Sequence, residues 1–155
     1  MIQRIQSLYL LVAAALVAVA LFAPLAWFSG GTQGFALHAF ALRTDSGEIV
    51  QATLYLGVLL AAACVLPVFI IFLFRRRLLQ IRLCAVEIVL LVGALVMESI
   101  YYLFCQRFFV DYFDFSARII RPAAVLPLVA LVFVALAARA VFRDELLVRA
   151  ADRIR

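Results

Sequence analysis

The chain contains no lysine. All 14 of its basic residues are arginine, set against nine acidic residues and a single histidine in 155 positions. Charged residues make up only 15% of the sequence, well under the roughly 25% of an ordinary soluble domain. The net charge of +5 invites a nucleic-acid partner. The spacing argues against one, because the arginines are scattered between apolar segments instead of forming a basic face. Cysteine is sparse as well. Cys64, Cys84 and Cys105 contain no C-x-x-C spacing, and with His38 as the one histidine they make no zinc pattern. Two of the three cysteines fall inside apolar runs, where a small buried hydrophobe is the expected role. Gly30-Gly31 lacks the following helix and lysine of a phosphate-binding loop. No nucleophile stands with a base, and no loop cysteine pair suits disulfide exchange. A non-enzymatic protein without cofactor or metal is expected.

What the chain has in excess is hydrocarbon. Hydrophobic residues reach 69% and the mean hydropathy is +1.19. A domain of this size has too little interior to hide that much apolar surface from water, so a lipid bilayer is the expected surroundings. Four apolar runs are each near the roughly 20 residues needed to cross a bilayer. They lie at about 8–28, 50–74, 83–104 and 119–141. The first is too long for the apolar core of a signal peptide and is taken as an uncleaved span. Pro24 and Trp27 mark its far end. Pro67 lies inside the second run, where it should kink the helix or free a carbonyl.

The expected fold is all-α: a membrane-spanning four-helix bundle in a single domain, 1–155, ending in a short amphipathic cytoplasmic helix. External loops are placed at 29–49 and 105–118, a cytoplasmic loop at 75–82 and a cytoplasmic tail at 142–155. The first external loop holds turn residues and two short apolar stretches, which suits a short hairpin. The segment 106–118 is rich in aromatics. Arg107 and Asp111, and Asp114 and Arg118, are four apart, so a short interfacial helix is expected there. In the tail, Leu147, Ala150 and Ile154 share one helical face, and Glu145 and Arg149 form a favourable pair.

Orientation follows from counting arginines beside the spans. Ten lie at one end: Arg4, Arg75, Arg76, Arg77, Arg82, Arg139, Arg143, Arg149, Arg153 and Arg155. Four lie at the other: Arg43, Arg107, Arg118 and Arg121. The richer end is assigned to the cytoplasm, which puts both termini inside and agrees with an even number of spans. Arg75, Arg76, Arg77, Arg143, Arg149 and Arg153 are then candidate contacts for anionic lipid headgroups, although topology alone accounts for them.

Five segments carry a family resemblance. They are Met1-Ile2-Gln3-Arg4-Ile5-Gln6, Gln80-Ile81-Arg82-Leu83-Cys84, Arg121-Pro122-Ala123-Ala124, Arg143-Asp144-Glu145-Leu146-Leu147-Val148-Arg149 and Asp152-Arg153-Ile154-Arg155. The chain resembles, over nearly its whole length, an uncharacterised bacterial family of small four-helix inner-membrane proteins, the domain of unknown function numbered 4293. The resemblance implies four spans and a cytoplasmic C-terminus, and it brings no activity. Arg121 and Arg143 stand where the family suggests lysine, which keeps charge and changes donor geometry.

Two residues remain as functional candidates. Glu87 and Glu98 both lie in the third span, eleven residues apart. That spacing is about three turns, so they share a helix face about 16 Å apart. An ionisable group in hydrocarbon is expensive unless it is paired, neutralised or hydrated. Either the pair forms a proton or cation pathway, or each is interhelical glue. In the second case Glu87 pairs with Arg82 or Arg77, and Glu98 with a tyrosine or arginine of a neighbouring helix. The structural role is preferred. His38 could titrate beside Glu98, but an ordinary loop histidine is the expected reading. The leading expectation is a non-catalytic structural or accessory subunit, in contact with lipid and with a second copy or a complex partner. The alternative is a small oligomeric proton-coupled transporter.

Overall fold

The computed structural model describes the backbone of residues 2–30, 33–73, 76–110 and 115–152. Helix α1, Ile2–Phe22, is the first apolar run. It stops where Pro24 removes a donor and pushes the preceding residue toward extended backbone. The Leu25 N–H turns instead to the Leu37 carbonyl at 2.7 Å, and the chain enters a sheet. Strand β1 is Ala26–Gly30, β2 Gln33–Leu37, β3 Ala41–Thr44 and β4 Ile49–Ala52. Helix α2, Leu54–Phe72, then runs back unbroken through Pro67, which is buried in the bundle. Helix α3 spans Arg77–Val110. Strand β5, Phe115–Ile120, follows, then a 3-10 helix at Pro122–Val125 and helix α4, Leu126–Asp152.

The four helices pack in a ring. α1 lies against α2 and α4, and α3 lies against the same two. Connections alternate between the two ends, so the bundle is up-down-up-down. Its core is Leu10, Ala13, Val17, Leu56, Leu60, Leu91, Ala94, Ala130, Val134 and Ala137, all at 1% exposure or less. The alanines keep the helices close where apolar burial adds little in lipid. The outside is apolar too. Leu8, Leu11, Val65, Val89, Val132 and Leu136 are exposed, an arrangement that suits hydrocarbon and not water.

The sheet is the principal departure from the all-α expectation. Five antiparallel strands run in the order β4-β3-β2-β1-β5. A four-stranded meander, β1 to β4, forms most of it, where a single hairpin was expected. The fifth strand arrives from ninety residues downstream and pairs Ala26 with Ile120 and Trp27 with Ile119. A second small core joins the sheet to the end of α3 through Phe28, Phe35, Leu37, Leu42 and Cys105, with Tyr101 and Tyr102 against it.

This overturns the interfacial helix expected at 106–118. Its first part is the last turn of α3, and Phe115–Ile120 is a strand. With Arg118 in that strand, the helical spacing that was to join it to Asp114 does not apply. Asp111 and Asp114 lie outside the described residues. The amphipathic tail is likewise not a separate helix, because α4 continues into it as far as Asp152. At the opposite end the link from α2 to α3 is tight. The Arg76 N–H donates to the Leu73 carbonyl, and the Gln80 N–H to the Arg76 carbonyl. Most of the expected loop 75–82 is therefore the first turns of α3. At about 51 Å, α3 outruns the roughly 30 Å of bilayer hydrocarbon, and the sheet is built around its far end.

Candidate functional site

α3 presents both glutamates inward, as their spacing required. Glu87 is fully buried and Glu98 is 8% exposed. Among the described residues, no carboxylate oxygen of either side chain has a hydrogen-bond partner. Arg82 is exposed, and five residues along a helix place it about 140° away from Glu87. The expected Arg82–Glu87 pair is not formed. Glu87 lies near Cys64 of α2 and Cys84 of α3. Cys64 sits close to the Ala14 carbonyl of α1, with the sulfur 3.8 Å from that oxygen.

Glu98 sits at the junction of bundle and sheet. There it lines a cavity of about 360 Å³ between α3, the start of β1 and the ends of β2, β5 and the 3-10 helix. Leu25, Leu37, Tyr102, Ala124 and Val125 are among the other residues of its wall. Ser99 also lines it, but its hydroxyl donates to the Leu95 carbonyl at 2.8 Å. Tyr102 stacks at a tilt on Phe28, ring centroids 5.5 Å apart. The cavity is thus an apolar chamber with one unsatisfied carboxyl.

His38 does not join it. It lies in the turn between β2 and β3, where partial burial and the nearby Arg43 hold its pKa below the ordinary 6.5, only partly offset by a hydrogen bond to the Phe22 carbonyl. The turn is fixed from α2. The Thr53 hydroxyl donates to the carbonyls of His38 and Ala39 at 3.1 and 3.0 Å, and the Phe40 ring rests on Gly57, where any Cβ would collide with it. Arg121 places its guanidinium 5.8 Å from the Trp27 ring centre, a cation–π contact tying β1 to the start of the 3-10 helix.

The opposite end is open. A cavity of about 650 Å³ lies between α1 and α4, lined by Tyr9, Arg139, Arg143 and Asp144 among others. Arg143 is the one proposed lipid contact found there. Arg76 is exposed in the tight turn before α3. The side chains of Arg75, Arg77, Arg149 and Arg153 lie outside the described residues. Gln6 and Gln80 are buried near this end, and the Gln6 amide nitrogen has no partner among the described residues. Neither glutamine stood out in the sequence, since a lone glutamine near a helix end carries no pattern.

Four helices long and apolar enough to cross a membrane, capped by a five-stranded sheet, define the class of protein: a helical bundle compatible with a membrane protein. The chain belongs to the family described as a domain of unknown function (DUF4293), whose model matches residues 2–154. No curated protein matches it.

Proposed function

We propose that the chain is a multi-pass protein of a bacterial inner membrane, with both termini in the cytoplasm. We infer that it works there as a non-catalytic accessory subunit. The ten-to-four distribution of arginines between the bundle ends supports the orientation. The observation that supports the subunit role most directly is the open edge of the sheet. β4 is an outermost strand, and Ile49 and Val50 on it are 64% and 45% exposed, with Leu54 and Tyr55 exposed beside them. An apolar strand with an unpaired edge is a template for another chain. A photo-crosslinking residue at position 49 tests this, with position 89 on the outer face of α3 as the control. A discrete adduct from 49 and none from 89 is expected. No adduct from 49 in intact membranes sinks the subunit role.

A second reading has its own support. Two buried carboxyls on one face of α3, without hydrogen-bond partners among the described residues, suit a proton or cation path. The two cavities lie at opposite ends, share no lining residue, and neither includes Glu87. On this reading a second copy of the chain completes the path. Proteoliposomes loaded with a pH-sensitive dye decide it: proton flux lost in both Glu87→Gln and Glu98→Gln supports transport, and absence of flux in the unaltered protein ends it.

A further inference from the structure

The chamber beneath the sheet opens sideways. Ser99, Leu103, Ile120 and Val125 form its rim, and all four are exposed on the outer surface of the bundle. The surrounding surface is apolar, so with the bundle in a membrane the mouth faces lipid. The chamber has about 360 Å³, within the range of small-molecule sites. Its walls are apolar with one exception. Glu98 lines it while more than nine-tenths buried, and neither of its oxygens meets a donor among the described residues. The hydroxyl closest in sequence, on Ser99, already donates to Leu95. The Tyr102 side chain also lines the chamber, yet no donor among the described residues bonds to the Glu98 oxygens.

The geometry points to a binding site for an amphiphile with a primary amine: the ammonium donates to the Glu98 carboxylate, and the hydrocarbon chain leaves through the rim between Leu103 and Val125. A hydrogen-bond donor is required because the unsatisfied groups are acceptors, and an ammonium supplies donor and charge together. Positive charge is favoured because a buried carboxylate needs a compensating cation. A hydrocarbon chain is favoured because walls and rim are apolar. The same chemistry comes from two sources, a free long-chain amine or the headgroup of phosphatidylethanolamine. The inference needs the bundle to lie in a membrane and does not depend on the subunit role.

Native mass spectrometry of the full chain in detergent tests it with dodecylamine and phosphatidylethanolamine as probes. Dodecanol and phosphatidylcholine serve as controls, since the first has no cationic amine and the second has a quaternary nitrogen without N–H. Retention of either amine over its control is expected, and retention of only one identifies the source. Glu98→Gln should weaken that retention by about tenfold to a hundredfold, the effect of losing a charge-assisted hydrogen bond. Val125→Trp, which plugs the rim and leaves Glu98 in place, should abolish it. The inference is overturned if neither amine is retained, if the controls are retained equally, or if both variants bind as the unaltered chain does. Glu98→Gln at unchanged affinity with Val125→Trp inactive would also overturn it, by leaving only an apolar pocket.

Discussion

The two ends of the bundle close the same problem in different ways. At the sheet end the chain leaves the helices for long connections, and their backbone groups are satisfied by pairing strands with one another. Leu25 bonds to Leu37, Thr53 to Phe40 and Arg121 to Leu25, so the strands and helix ends are stitched together. At the arginine-rich end almost no connection exists. α2 passes to α3 in one tight turn, and α4 continues as helix into the tail. Backbone groups there are satisfied inside the helices, and arginine lines the space between α1 and α4. The sheet end thus has a core of its own, while the arginine end has a surface. Damage at the first should disturb structure, and damage at the second should leave the fold intact.

Phe28→Ala gives the sharpest contrast. Phe28 is 1% exposed and is the more deeply buried of the two phenylalanines of the second core. Its truncation should cost about 3–5 kcal/mol. Hydrogen exchange should show strands β1, β2 and β5 losing protection while the buried centres of α1 and α4 keep theirs. Uniform loss across helices and strands would mean that cap and bundle are one cooperative unit, and the comparison would collapse. Gly57→Ala attacks the same end from α2. The new methyl meets the Phe40 ring, and overpacking of this kind costs about 1–3 kcal/mol. Adding Phe40→Ala should recover part of the loss in thermal unfolding. Full additivity of the two would show that the contact is not the cause.

Thr53→Val keeps the shape and removes the hydroxyl that donates to His38 and Ala39. Leaving buried carbonyls short of a donor costs about 1–3 kcal/mol. The turn between β2 and β3 should exchange faster, with little change in β5. Arg143→Gln is the matched test at the other end. An exposed residue lining an open cavity should shift stability by no more than about 0.5 kcal/mol. A larger shift in detergent, with no lipid present, would show that the arginine end has a structural core after all.

The helices were legible because runs long and apolar enough to cross a membrane leave little choice of local structure. The inward face shared by Glu87 and Glu98 was legible from their spacing alone. The sheet was not, and two physical reasons account for it. Phe35, Ala36 and Leu37 are buried on both strand faces, so β2 shows none of the alternation that marks a half-buried strand. β5 takes its strand form from β1, and the partner of Ile120 is Ala26. No local pattern in Phe115–Ile120 announces a pairing that distant. The carboxyls misled in a different way. Their cost in hydrocarbon argued for partners within the chain, yet Arg82 faces outward. Sequence spacing fixes a helix face, but it does not say whether a neighbouring helix brings a donor to it.

The smallest effect separates the ends by pH. His38 is the sheet end's titrating imidazole, partly buried and close to Arg43, with its pKa below the ordinary 6.5. The folded chain therefore resists a proton that the unfolded chain accepts. As pH falls below about 6.5, the unfolded state binds more protons than the folded one, and stability declines until the folded pKa is passed. Above that window the neutral ring contributes its full share. His38→Gln removes the group in both states. Thermal midpoints measured from about pH 8 to about pH 5 should therefore fall less steeply for the variant, with the difference confined to the acid half. An identical slope would place the acid sensitivity elsewhere and would free the β2–β3 turn from any electrostatic role in holding the cap.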